Sequence, residues 1–208
     1  MIRLYRFQYS TNVERVALAL AHKELGATSV QIDPADRSEV RRASGQDLVP
    51  TIVDEGNGGK VVFDSMEIVR YLEEQYPHKP LYPTDPGRRA EMMVFIDWFN
   101  RVWKRPPNDI EAEMGKPSPD NARIAWLGAA MVDALDLFEA MLSGRDYLMG
   151  DFSAADCAAF PFVKYGLLKL PADDTYLFHR ILVEWQPIGA SHPRLAEWIR
   201  RVNRRPRA

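Results

Sequence analysis

Four prolines, at positions 77, 80, 83 and 86, fall within ten residues of one another. Proline has no backbone N–H and a locked φ, so a run this dense suits neither a helix interior nor a central strand. Residues 77–86 therefore read as a linker, and the chain differs on its two sides. Residues 1–76 alternate short extended runs with helical ones. From 87 to 208 every periodic segment is helical. A smaller α/β domain joined to a larger all-helical one is the organisation this implies.

Within the first part, residues 2–7 read as a strand. A helix is expected over 11–25, because Val13, Val16, Ala17 and Leu20 recur on one face. Thr11 and Glu14 form a capping box at its start, and Gly26 is placed to end it. A second strand is expected over 29–33 and a short charged helix over 36–43. Strands at 51–54 and 60–64 flank Gly56-Asn57-Gly58-Gly59, a hairpin signal. Ser65 can cap a helix through 74, with Ile68, Val69 and Leu72 inward. The order β-α-β-α-β-β-α predicts a mixed sheet with helices on its faces. In the second part, helices are expected over 87–104, ended by Pro106-Pro107, and from Ser118 as cap to Gly144. Further helices are expected from Ser153, between 173 and 184, and over 192–203.

Composition narrows the function classes. Hydrophobic residues are 46% and charged ones 27%, which suits a folded domain and argues against disorder. Lys and Arg number 27 against 29 Asp and Glu, so no excess of positive charge points to nucleic acid or an anionic membrane. No apolar run nears the ~18 residues of a membrane span. Arg3 and Arg6 interrupt the start where a secretory signal needs its apolar stretch, so a soluble cytoplasmic protein is expected. The single cysteine, Cys157, excludes an internal disulfide, a two-cysteine redox pair and a cysteine-rich zinc site. The four histidines, at 22, 78, 179 and 192, lack ligand spacing, and no metal is expected. Arg200, Arg201, Arg204, Arg205 and Arg207 read as a solvated helix end. Phe95, Trp98, Phe99 and Trp103 suit helix packing. One or two of them, with Phe99 and Trp103 the candidates, are left to line an apolar pocket.

Four local features fall at telling places in this layout. Tyr9-Ser10-Thr11-Asn12-Val13-Glu14-Arg15-Val16 spans the turn from the first strand into the first helix. Leu48-Val49-Pro50-Thr51 precedes the third strand, and Asp64-Ser65 joins the fourth strand to its helix. Gly150-Asp151-Phe152-Ser153-Ala154-Ala155-Asp156 lies in the helical part. In this order and spacing, along the whole chain, they closely resemble the glutathione transferase family. That resemblance implies a thioredoxin-like domain followed by an all-helical one, with glutathione as co-substrate and a homodimeric assembly. It also implies an active site in the cleft between the domains.

Glutathione brings its own sulfur, whose pKa must drop from the ~8.5 of an ordinary thiol to ionise usefully. A hydroxyl hydrogen bond and the positive end of a helix both favour the thiolate. In the serine-type classes that hydroxyl stands five residues before the arginine of an Arg-Val pair, and Ser10 stands five before Arg15-Val16. With Thr11 as cap, the Ser10 hydroxyl is expected to be left for a ligand. Read without the resemblance, Ser10 is itself the cap, and Tyr9 and Thr11 are nearby substitutes. Val49-Pro50 resembles the family's cis-proline, where Val49 would pair through its backbone with the cysteinyl part of glutathione. Without the resemblance it reads as a trans proline opening an edge strand. Asp64-Ser65 resembles the family's acidic-residue–serine pair for the γ-glutamyl end, with Asp in place of the commoner Glu. Leu48 stands where many relatives carry Lys or Gln for the glycyl carboxylate, so Gln46 or Arg41 is the expected substitute. The Ser153–Asp156 box serves folding, with Phe152 placed to staple onto Cys157.

The implied activity is attack of the glutathione thiolate on an apolar electrophile, the chemistry of detoxification. Two alternatives stand beside it. One is a glutathione-dependent isomerase of the zeta type, although the serine and cysteine run of that class is missing after Ser10. The other is a non-catalytic binding scaffold, for which Leu48 speaks.

Overall fold

Ile2, Leu4 and Tyr5 are buried in strand β1 (Ile2–Arg6), which runs through the middle of a sheet. In the computed structural model, which describes residues 1–208, β1 pairs in parallel with β2 (Ala27–Gln31) and antiparallel with β3 (Thr51–Asp54). β3 in turn pairs antiparallel with β4 (Lys60–Phe63), giving the order β2-β1-β3-β4. The parallel pair needs a crossover, and helix α1 (Thr11–His22) supplies it. All four residues of β3 are buried, as its inner place in the sheet requires. A short helix α2 (Ser38–Ser44) follows β2, and α3 (Ser65–Gln75) follows β4 and packs against α1. Ile68, Val69 and Leu72 are fully buried on α3, the face expected from their spacing.

Helix α1 stops earlier than its periodicity suggested. Glu24 takes a left-handed φ of 56°, and the Leu25 N–H closes back on the Leu20 carbonyl at 2.9 Å. The cause is long-range. Lys23 is buried, its Nζ pairs with Glu73 at 2.7 Å and donates to the carbonyls of Tyr76, His78 and Lys79. That set of partners fixes where the helix ends, and Gly26 is not needed to stop it.

The chain forms two compact units, residues 1–83 with 205–208 and residues 84–204. The last four residues differ from the solvated end expected of them. Arg207 pairs with Glu14 at 2.9 Å, Arg205 donates to His22 Nδ1 at 2.8 Å, and the Ala208 N–H bonds the Ala17 carbonyl. They form a strap along α1.

In the second unit, α4 (Pro86–Trp98) starts with Asp85 as cap, so the fourth linker proline is already helical. A π-helical turn, Phe99–Trp103, follows, marked by the Lys104 N–H bonding the Phe99 carbonyl at 3.0 Å. Then comes α5 (Arg105–Met114), a helix the sequence reading missed. Pro106 and Pro107, expected to stop a helix, lie instead in the first turn of α5, where no N–H is needed. Helix α6 (Asn121–Met141) is capped by Asp120, two residues past the expected Ser118. Its Asp side chain accepts from the Arg123 N–H at 3.0 Å. After it come α7 (Ala154–Val163), which contains Pro161, then α8 (Leu177–Glu184) and α9 (Pro193–Asn203).

Phe99 and Trp103 stack at 4.5 Å between ring centres, with Phe138 and Phe162 set edge-on around them. Both are buried, packed within the helical core. No helix is long and apolar enough to cross a membrane.

Candidate functional site

The strand register places three of the four motifs together. Tyr5 in β1 pairs with Thr51 in β3, and Thr51 pairs with Phe63 in β4. The loop leaving β1 holds Ser10, the loop entering β3 holds Val49-Pro50, and the residues leaving β4 are Asp64-Ser65. Antiparallel pairing thus brings all three to one end of the sheet. Local patterning supplied the strands, but only the register reveals that their loops are neighbours.

Ser10 is the N-cap of α1, with φ −62° and ψ 115°, and its Oγ accepts the Val13 N–H at 3.3 Å. This corrects the expectation that Thr11 would cap and leave Ser10 over. Thr11 is the first helical residue, already buried, and has helical geometry that a cap does not. The correction leaves the chemistry open. A hydroxyl has one proton and two lone pairs, and the cap bond uses a lone pair. The Ser10 proton therefore still has a bond to give, from a half-buried position at the positive end of a helix. Tyr9, just before it, has a left-handed φ of 63°, uncommon for a residue with a Cβ.

The Val49–Pro50 peptide bond is cis, and both residues are buried. Leu48 beside them is 68% exposed, so the usual site of a carboxylate anchor carries an apolar side chain in water. Neither expected substitute is idle. Gln46 Nε2 lies 2.9 Å from Ser44 Oγ, the Leu48 carbonyl and Thr51 Oγ1, while its Oε1 accepts the Leu48 N–H. It braces the loop that holds Val49. Arg41 grips Asp47 through two bonds, at 2.6 and 2.8 Å. That fork raises the Arg41 pKa and lowers that of Asp47, chiefly through the hydrogen bonds themselves. Arg37, which the sequence reading passed over, donates to the Asp47 carbonyl at 3.1 Å and lies over the Phe7 ring at 5.4 Å.

Asp64, with a φ of 65°, caps α3: its Oδ1 accepts the N–H groups of Met66 at 2.9 Å and Glu67 at 3.2 Å. Asp64, and not the expected Ser65, is thus the cap of α3. Aspartate reaches both at once, and the cap leaves out the N–H of Ser65 itself. Ser65 is buried at the first helical position, and its Oγ accepts from Arg15 Nη1 at 3.2 Å. Arg15 served in the sequence only to locate Ser10. Nothing in its spacing shows a bond to a residue 50 positions away.

In the helical unit the fourth motif forms the expected box. The Ser153 N–H bonds Asp156 Oδ2 at 2.9 Å, and Ser153 Oγ accepts the Ala155 N–H. Asp156 also accepts from Ser153 Oγ, the Leu148 N–H and Trp198 Nε1. Burial pushes its carboxyl pKa up against these bonds. Phe152 and Cys157 are both buried beside the box. No group of three His, Cys, Asp or Glu side chains is arranged to hold a metal ion.

Comparison with known proteins agrees with this layout. Residues 4–80 match the family model of the glutathione S-transferase N-terminal domain. The chain is 27% identical to glutathione S-transferase GstB of Escherichia coli (strain K12), over 99% of this chain and 95% of that protein. It is 35% identical to glutathione S-transferase Z1 of Arabidopsis thaliana over 94 residues, 43% of this chain and 41% of that one. The crystal structure of a glutathione S-transferase from Rhodospirillum rubrum F11 superposes with a TM-score of 0.73 at 26% identity. That alignment covers 99% of this chain and 89% of the other. With a thioredoxin-like sheet carrying the motif loops at one end, and a helical unit with its capping box, the chain is similar over nearly its whole length to glutathione S-transferases, and its residues 4–80 match their N-terminal domain.

Proposed function

We propose that the protein is a glutathione transferase in which Ser10 stabilises the thiolate of bound glutathione. The observation that carries this reading is the Ser10 hydroxyl, whose oxygen is held by the Val13 N–H while its proton keeps a bond to give. A hydroxyl fixed through its acceptor side at a helix N-terminus is a preorganised donor for an anion. In this reading the thiol releases its proton to solvent and the Ser10 O–H donates to the sulfur. The thiolate then forms a carbon–sulfur bond with an apolar electrophile, whose leaving group departs with the electron pair. No covalent bond to the protein forms.

Val49 would pair its backbone with the cysteinyl unit in the manner of an added strand. The γ-glutamyl carboxylate would meet the Ser65 hydroxyl and N–H, with Asp64 near the α-ammonium. For the glycyl carboxylate, Arg41 would share its charge between Asp47 and the ligand, and Gln46 would act by holding the loop.

Conjugation of glutathione to 1-chloro-2,4-dinitrobenzene, followed with pH for wild type and Ser10→Ala, tests the reading. A rate loss of about 10²-fold and a thiol pKa moved back towards ~8.5 are expected. An unchanged rate and pKa in the variant would remove Ser10 from the mechanism. The non-catalytic scaffold is favoured by one observation, the exposed Leu48 in place of an anchor. Calorimetry that finds no glutathione binding at millimolar concentration would select it.

A further inference from the structure

We infer that Arg15 is a positioning residue that makes Ser65 a hydrogen-bond donor and ties the γ-glutamyl end of the site to the helix carrying Ser10. The inference rests on the glutathione reading above. Arg15 is 2% exposed and Ser65 4%, and the two meet through one bond from Nη1 to Oγ at 3.2 Å. A guanidinium only donates, so the Ser65 oxygen is held as an acceptor and its single proton must point elsewhere. No acceptor within the protein takes that proton. Ser65 is thereby set to bond an anion, where an unbridled hydroxyl would rotate between donor and acceptor roles.

The same bond joins two helices. Arg15 lies on α1 five residues after Ser10, and Ser65 opens α3, which packs on α1. Ser10 would meet the sulfur and Ser65 the carboxylate at the far end of the γ-glutamyl unit. The Arg15–Ser65 bond therefore sets the distance between the groups that read the two ends of one ligand. Rigid spacing of this kind favours a ligand of matching length over a shorter one.

Two ligands and a pair of substitutions test this. Dissociation constants are measured by calorimetry for glutathione and for cysteinylglycine, which lacks the γ-glutamyl unit, in wild type, Arg15→Lys, Ser65→Ala and the double variant. Lysine keeps the charge and loses the second guanidinium arm, and each variant's melting temperature is read beside its affinity. For Arg15→Lys we expect glutathione binding weaker by about tenfold, the scale of a lost hydrogen bond to a charged group, with cysteinylglycine within twofold of wild type. In the Ser65→Ala background the further loss should be under twofold, because the partner is already gone. Equal losses for both ligands, or losses that multiply in the double variant, would make Arg15 a structural residue and overturn the inference. Unchanged glutathione affinity in Arg15→Lys would overturn it as well. Should wild type bind cysteinylglycine and glutathione alike, or neither, the glutathione reading itself falls and this inference with it.

Discussion

Ser10 in the sheet-bearing unit and Ser153 in the helical one are both N-caps, yet their hydroxyls end up in different states. Ser153 is buried and both sides of its hydroxyl are used, the oxygen by the Ala155 N–H and the proton by Asp156. Ser10 is half-buried, and only its oxygen is used, by the Val13 N–H. Ser65 falls with Ser10: its oxygen is held, by Arg15, and its proton is not. A saturated hydroxyl contributes to stability alone, whereas one held on a single side keeps a directed bond for something else. The same residue type at the same kind of position is thus saturated by its own fold in one unit and keeps a bond to give in the other.

Four experiments can break or sharpen that contrast. The largest effect is expected for Asp156→Ala. It strips the acceptor from four buried donors, and a loss of about 3–5 kcal/mol in stability should follow in urea unfolding. Glutathione binding per folded molecule should not change. Ser10→Ala comes next, with its conjugation rate down about 10²-fold while stability falls by only about 1 kcal/mol, the worth of an N-cap. A stability loss as large as that of Asp156→Ala would erase the distinction. Ser153→Ala should reverse the pattern, costing about 1–2 kcal/mol in denaturant unfolding and leaving the conjugation rate per folded molecule intact.

The smallest effect concerns the strap of residues 205–208. His22 Nδ1 accepts from Arg205, so it must be unprotonated for that bond to form. Burial first, and then the Arg205 charge, lower its pKa below 6.5. Folded His22 therefore binds fewer protons than unfolded His22 just below pH 6.5, and stability falls as pH drops through that value. Unfolding midpoints measured between pH 7 and 5 should show this slope, and His22→Asn should flatten it. An identical slope in the variant would place the acid sensitivity elsewhere.

Much of the fold was legible because it rests on short-range physics. The hairpin around Gly58 and the apolar face of α3 are decided by residues within one or two turns of each other. What the sequence reading got wrong shares a different cause. Pro106-Pro107 carries the same local signal whether it ends a helix or begins one, and the packing of α5 decided for a beginning. At the heads of α1, α3 and α6 several residues able to cap stand in a row. Ser10, Asp64 and Asp120 prevailed because backbone geometry put them, and not Thr11, Ser65 or Ser118, just outside the helix.

The candidate site divides in the same way. The order and spacing of Ser10, Val49-Pro50 and Asp64-Ser65, the lone Cys157 far along the chain and the departure at Leu48 are all properties of the sequence. They determined a chain with one thiol of its own, far along the chain from Ser10, and a resemblance to the glutathione transferases. Tertiary structure alone decided that the three motif loops share one end of the sheet. It alone gave Gln46 and Arg41 other partners, and brought Arg15 to Ser65 across 50 residues. A side chain's capacity to donate or accept belongs to its residue type. Which of its bonds are already used depends on neighbours that only the folded register supplies.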